Sequence, residues 1–242
     1  PGTETPDTPG QHAVALRTSC PWVQLWEGGP KFASFNLGAQ VDSYANLESY
    51  NVQIGGSPSG WSIQSTPNIG GLYRYGYSVL DYRLFGGGGN AAFADIPVDP
   101  YSPESEDCNM SQRLWGDNWR EPTYEEYHDM LTNCEWTLCD GVNVQFCEGC
   151  KLPGYKVSGA VGTEYEDNVI FLPSTGYYFS NDCILYGNYM YLSQGFYWTS
   201  SPAEGSIYRA SILQFDAGNL KYKNMSTNPC ADAIGVRSVL VE

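Results

Sequence analysis

Eight cysteines are the residues of this chain best suited to do chemistry: Cys20, Cys108, Cys134, Cys139, Cys147, Cys150, Cys183 and Cys230. Four of them fall in NCEWTLCDGVNVQFCEGC, with the spacing C-x4-C-x7-C-x2-C. Two chemistries compete for that run. Four thiolates in a tetrahedral array would hold structural zinc, for which C-x2-C is a common half-site and C-x4-C a less usual one. An even cysteine count in an exported chain points instead to local disulfides, which the export context favours. A redox or nucleophilic thiol has less support. No βαβ pattern surrounds the C-x2-C pair, and the two histidines, His12 and His128, fall in an N-terminal tether and on a predicted helix. The run FGGGGN is followed by neither Lys-Ser/Thr nor a helix signal, so it reads as a turn and not as a phosphate cradle. No G-x-S-x-G elbow is present for a serine nucleophile. Paired carboxylates of the glycosidase kind are defined by their separation in space, and nothing in the sequence singles out a pair.

Charge narrows the choice of partner. Twelve Lys and Arg face 27 Asp and Glu, a net charge of −15. A nucleic-acid binder must neutralise phosphates with cations, so that class is disfavoured, and an anionic membrane surface is disfavoured by the same repulsion. Acidity of this size keeps a protein soluble. Calcium is the weaker alternative, because no D-x-[DN]-x-[DN]-G loop occurs. No metal or other cofactor is expected. The sequence contains no transmembrane stretch, and its opening PGTETPDTPGQ reads as a flexible tether over residues 1–12 that follows an export signal or a lipid-modified cysteine.

The elements that must position these residues are mainly short strands. Charged residues are only 16% of the chain, and polarity comes from Ser, Thr, Asn, Gly and 19 Tyr, a composition that suits strands and ordered loops. WVQLW and KFASFNLGA alternate apolar and polar residues, as does AVALR before them; later come GYKVSG, NVIFLPSTGYYF, GFYWTSSP, YRASILQFD and IGVRSVLVE. One helix is predicted over about 123–133. Pro122 blocks an earlier start, Thr123 and Glu126 form a capping box, and Tyr124, Tyr127, Met130 and Leu131 share a face. His128 then lies on the exposed face. The expected class is α+β: β-rich, with short antiparallel strands, one helix and long loops. No repeat or boundary divides residues 13–242, which read as one domain with loop-rich insertions over about 40–107.

Four motifs occur in a fixed order: LWGDNWREPTYEEYHDML, IFLPSTGYYF, GFYWTSS and AIGVRSV. Together they resemble the Fibrobacter succinogenes major paralogous domain family, whose pattern runs W-G-x-x-W-R-x-P-T, then LP-x-x-G-Y, YW-S-S and G-x-x-V-R. KFASFNLGA is similar to the family's opening segment, with Phe32 in place of the usual Trp. GGLYRYG matches a further segment weakly. The resemblance is strongest in the second half and loosest between Gln40 and Asp107. It implies a C-type lectin-like fold and an exported protein or lipoprotein of the Bacteroidetes, at the outer membrane or cell surface, with a lipid anchor upstream as one mode of attachment.

The resemblance also implies that Trp115, Trp119, Arg120, Tyr197, Trp198 and Arg237 are scaffold, Arg237 requiring a partner if buried. Binding is expected in the stretch after Trp198, with Ala210, Leu213 and Phe215 inward. Glu204, Tyr208, Arg209, Ser211, Gln214, Tyr222, Lys223 and Asn224 form the outward, ligand-contacting set, rich in types that give contact area at modest entropic cost. The triplets of calcium-dependent sugar-binding lectins are absent, and Cys230 alone does not reproduce a formylglycine-generating site. The expected function is therefore non-catalytic: an adhesin-like or fimbria-associated domain that binds a glycan or protein ligand. A structural subunit of a surface assembly is the alternative, and a carbohydrate-active enzyme comes third.

Overall fold

The computed structural model describes residues 20–37, 55–57, 60–62, 73–74, 110–139, 154–174, 176–178, 185–186, 194–206, 208–218, 220–230 and 232–241. The expected tether, AVALR, FGGGGN, Cys108, Cys147, Cys150 and Cys183 lie outside these residues.

Sixteen short strands and two helices make up the described elements. Strands β1 (Trp22–Gln24) and β2 (Lys31–Ala33) form an opening hairpin. The last strand, β16 (Val239–Leu240), pairs with β2 on one side and with β6 (Trp119–Arg120) on the other, giving the order β1-β2-β16-β6. A second sheet joins β7 (Cys134–Cys139), β8 (Gly154–Gly159) and β9 (Val169–Pro173). A third, the longest-stranded, is the meander β12 (Gln194–Pro202), β13 (Arg209–Asp216) and β14 (Lys223–Pro229). Small ladders complete the set: β3 (Gly55–Ser57) with β4 (Gly60–Ser62), and β5 (Tyr73–Arg74), β10 (Tyr177–Tyr178), β11 (Leu185–Tyr186) and β15 (Ala233–Ile234) in the order β11-β10-β15-β5. Every ladder is antiparallel; an isolated parallel bridge, Tyr197 to Gly235, ties the meander to the segment after β15.

The meander separates two cores. Strand side chains alternate between faces, and here both faces are covered. Tyr197, Leu213 and Phe215 point into one cluster with Leu25, Phe32, Tyr127, Met130, Val157 and Leu172. Phe196, Trp198, Ala210 and Ile212 point into the other with Leu37, Met110, Ile234 and Val236. Ala210, Leu213 and Phe215 are all fully buried as expected, but on opposite faces. Gly195, opposite Phe215, leaves room for that ring: a Cβ there would come within 2.1 Å of it. Each large side chain so buried contributes about 1.5–3 kcal/mol.

Helix α2 (Tyr124–Asn133) packs on the first of these faces through Tyr127 and Met130. Its capping box is present: Thr123 Oγ1 accepts from Glu126 N, and Glu126 Oε2 accepts from Thr123 N at 2.8 Å. Leu131 is half-buried and Tyr124 exposed, so the expected apolar face narrows at its first turn, where Tyr124 stacks on exposed His128.

The sequence reading misses several elements, among them β7 in the cysteine run and the short β3, β4 and β5 in the span expected to be loop-rich. Helix α1 (Met110–Trp115) ends on the first Trp of the W-G-x-x-W-R motif, and β14 occupies KNMSTNP, which is not among the expected strands. Its polar residues suit an edge strand with no fully buried side chain. The cysteine run also needs correction. Cys134 and Cys139 stand at opposite ends of β7 with five residues' rise between them, about 16 Å, and on opposite faces. They cannot share one zinc ion or bridge each other. Cys134 and Cys230 are free thiols.

Candidate functional site

The eight outward residues expected from the sequence do not form one patch. They divide between the two ends of the meander, since Arg209 and Gln214 are separated by about 16 Å of extended strand. At the β12–β13 turn, Glu204 and Tyr208 are exposed. Arg209 is committed to the sheet: its Nε donates to Thr227 Oγ1 at 3.0 Å and its Nη2 to Thr227 O at 2.6 Å. Ser211 is not outward. It is buried, opposite Thr227 and on the same face as Leu213 and Phe215, and its carbonyl accepts from Thr199 Oγ1 at 2.8 Å. Simple alternation already places it on that face, so its inclusion in the outward set departs from the strand pattern.

The opposite end, around the β13–β14 turn, brings Gln214, Tyr222, Lys223 and Asn224 together. Gln214 faces Asn224 across the ladder, and Gln214 Nε2 donates to the Tyr222 hydroxyl at 2.6 Å. The turn itself is braced by Asp216, whose amide donates to Tyr222 O at 2.8 Å and whose Oδ1 accepts from Gly218 N at 2.6 Å. Burial and the nearby Asp216 raise the Tyr222 pKa, against the hydrogen bond from Gln214, so the hydroxyl stays protonated at neutral pH. On the other side of β14, Lys223 holds its ammonium 5.7 Å from the Trp136 ring centroid, within cation–π range. Trp136 is fixed by its own indole N–H, which donates to Met130 O at the end of α2, and by an edge contact with Tyr155.

Three members of this end were missed by the sequence reading. Trp136 comes from a distant strand, and only the tertiary fold sets it under Lys223. Leu220 is 70% exposed at the tip of the turn. Lys221 is the one described non-glycine residue with positive φ, at 50°. A left-handed conformation costs a side-chain-bearing residue about 1 kcal/mol, and glycine or asparagine would avoid most of that cost. KYK between two loop residues is the sequence signal that marks the spot.

Elsewhere, charged groups serve the scaffold. Arg120 makes a bidentate pair with Glu126 at 2.6 and 2.7 Å, so one carboxylate closes the capping box and anchors the preceding strand. Arg237 is fully buried and finds its partners: Nε donates to Asn36 Oδ1, Nη1 to Ala33 O and Nη2 to Phe171 O, at 2.6–3.0 Å. Asn36 in turn donates to the Tyr197 hydroxyl, which donates to Pro173 O at 2.6 Å. Glu121 is buried beside the start of α1, where its Oε1 accepts from both the amide and hydroxyl of Ser111, and Ser238 donates to that hydroxyl at 2.7 Å. Burial raises the Glu121 carboxyl to about 7 despite these donors. Burial likewise pushes the Cys134 and Cys230 thiols up to about 12, poor values for nucleophiles.

Among the described residues, no three His, Cys, Asp or Glu side chains converge as metal ligands, and no helix is long and apolar enough to cross a membrane. Comparison with family models, with curated proteins and with solved structures finds no match to this chain.

Proposed function

We propose that this chain is a non-catalytic binding protein of the cell surface, built on a C-type lectin-like scaffold, which presents its ligand contacts from the end of the β12–β13–β14 meander. One observation carries the reading. The Tyr222 side chain is held by Gln214 on a strand whose sheet is packed on both faces, with Lys223, Asn224 and Leu220 exposed around it. A half-buried tyrosine fixed by a hydrogen bond gives a ligand contact area without ordering cost at the moment of binding. The ordered motifs from W-G-x-x-W-R to G-x-x-V-R support the scaffold assignment and, with it, an extracytoplasmic location. Adhesion or ligand capture is the role that fits such a display, and the partner is a glycan or a protein.

The test is an array of glycans and host-surface proteins probed with the intact protein and with a Y222A/N224A variant. The expected result is binding by the intact protein and loss by the variant, with both unfolding at similar temperatures. Silence across the array, combined with turnover of any polysaccharide in a reducing-end assay, would overturn the proposal.

A further inference from the structure

The same turn also points to the chemistry of its ligand. Lys221 and Lys223 are exposed and separated by a single residue on a chain whose net charge is −15. Among the described residues, neither lysine makes an ion pair with a carboxylate. The acid nearest the turn, Asp216, is buried and spends Oδ1 on the Gly218 amide. Lys221 is moreover held in a left-handed conformation that a glycine would adopt without strain, and strain retained at an exposed turn marks a site where the side chain itself matters. Next to the two lysines stands the ring of Tyr222, tied to Gln214, while Trp136 underlies Lys223 on the other side of β14.

We infer that the β13–β14 turn binds an acidic carbohydrate, with Lys221 and Lys223 contacting its carboxylate or sulfate groups and the ring of Tyr222 lying against a sugar face. This assignment rests on the proposed binding role of the meander end and adds the ligand class to it. An amide donor and carbonyl acceptors for sugar hydroxyls come from Asn224 and Gln214, which face each other across the ladder. The overall acidity does not oppose the assignment. At physiological ionic strength charges are screened beyond about 8 Å, so a short oligosaccharide senses the two lysines more than the distant carboxylates. An extended polyanion is different: a nucleic acid or an anionic bilayer would lie against much more of the acidic surface, and two cations do not neutralise enough of it.

The experiment is calorimetric titration of the full chain at low and physiological salt. The probes are a sulfated uronate oligosaccharide of the heparin type, an oligogalacturonate, a neutral dextran oligosaccharide, and phosphatidylserine/phosphatidylcholine vesicles. One or both acidic sugars are expected to bind, more weakly at higher salt, and dextran and vesicles are not. Lys221→Gly removes a cation while relieving the backbone, so it is expected to weaken binding about fivefold, the worth of roughly one exposed charge contact, with an unchanged or higher melting temperature. Lys223→Ala is expected to weaken binding similarly, and Lys223→Arg to retain it. Unaltered affinity in Lys221→Gly, equal binding of dextran, or binding of vesicles without the sugars would each overturn the inference. If the acidic sugars fail while a neutral glycan or a protein binds in a Tyr222-dependent way, the ligand class is wrong and the binding role stands. If nothing binds, both fall.

Discussion

Glu121 offers the sharpest physical test of the structure. Its carboxyl is buried between α1 and the segment before β16, and burial outweighs the Ser111 donors, so it holds its proton up to about pH 7 against an ordinary value of 4.5. In the unfolded chain the same carboxyl ionises near 4.5. Between those values the folded state binds more protons than the unfolded state, and stability must fall as pH rises. The contribution is fully present below about 4.5, is lost progressively up to about 7, and is level beyond. At 1.36 kcal/mol per pH unit the loss amounts to about 3 kcal/mol, a large fraction of the 5–15 kcal/mol typical of a domain. Glu121→Gln keeps the shape and the acceptor for Ser111 but cannot ionise. Urea unfolding followed by tryptophan fluorescence, repeated from pH 4 to 8.5 on both proteins, isolates the effect because every other titrating group cancels in the difference. Glu121→Gln is expected to gain about 3 kcal/mol on wild type across that range, with equal urea slopes. A difference independent of pH would refute the reasoning. A difference of opposite sign would mean that the Ser111 and Met110 donors at the start of α1 dominate over burial, making Glu121 an ordinary ionised cap.

Other expectations follow from the scaffold. Arg237→Met removes the buried cation and its three hydrogen bonds, to Ala33 O, Phe171 O and Asn36 Oδ1, at about 1–3 kcal/mol each; chemical denaturation should report a loss of at least about 3 kcal/mol, and a loss under 1 kcal/mol would contradict the network. Thr123→Ala opens one half of the capping box and is expected to cost about 1 kcal/mol, while Glu126→Gln keeps a capping acceptor but breaks the charged Arg120 fork and should cost a similar amount; no loss in Glu126→Gln would mean that the fork contributes nothing. Cys134 and Cys230 should resist iodoacetamide in the native protein at pH 8 and react once unfolded, as followed by peptide mass spectrometry, because burial keeps both thiols protonated. Rapid native labelling of either would show that its burial is wrong.

Much of this architecture was legible in the sequence wherever a local rule and the tertiary environment agree. Pro122, Thr123 and Glu126 define the start of α2 by chemistry that needs no neighbours beyond the first turn. The alternation in YRASILQFD locates β13, and the large side chains Leu213 and Phe215 find the core. Most failures occurred where the environment decides. Ser211 is expected outward, yet alternation alone puts it on the face of Leu213 and Phe215, where the structure buries it. KNMSTNP is not among the expected strands because an edge strand can be polar throughout and then carries no alternation. Glu121, next to Arg120 in sequence, looks like half of a surface pair, yet Arg120 turns to Glu126 and leaves Glu121 to Ser111. At the meander end, Tyr222, Lys223 and Asn224 belong to the stretch that the resemblance implies, whereas Trp136 enters only through the fold, which brings its ring to Lys223. The strand also explains why the cysteine spacing misled: C-x4-C on a helix or loop can converge, but on β7 it spreads its two sulfurs to opposite faces.

The pairing of β1, β2 and β16 has a mechanical consequence. Because β1 and β16 both run antiparallel to β2, they are parallel to each other, with Trp22 at one end of the sheet and Leu240 at the other. A load applied through the backbone before Trp22 and after Leu240 therefore runs along the strands, in shear. The Trp22–Ala33, Val23–Phe32 and Phe32–Val239 pairings bear it together, where a zipper geometry would yield them one at a time. Behind them, the Val241 amide bonded to Asn118 O and the Ala33 amide bonded to Ser238 O share the strain. The sheet that closes the fold is thus a clamp, and force along this axis meets its strongest arrangement first.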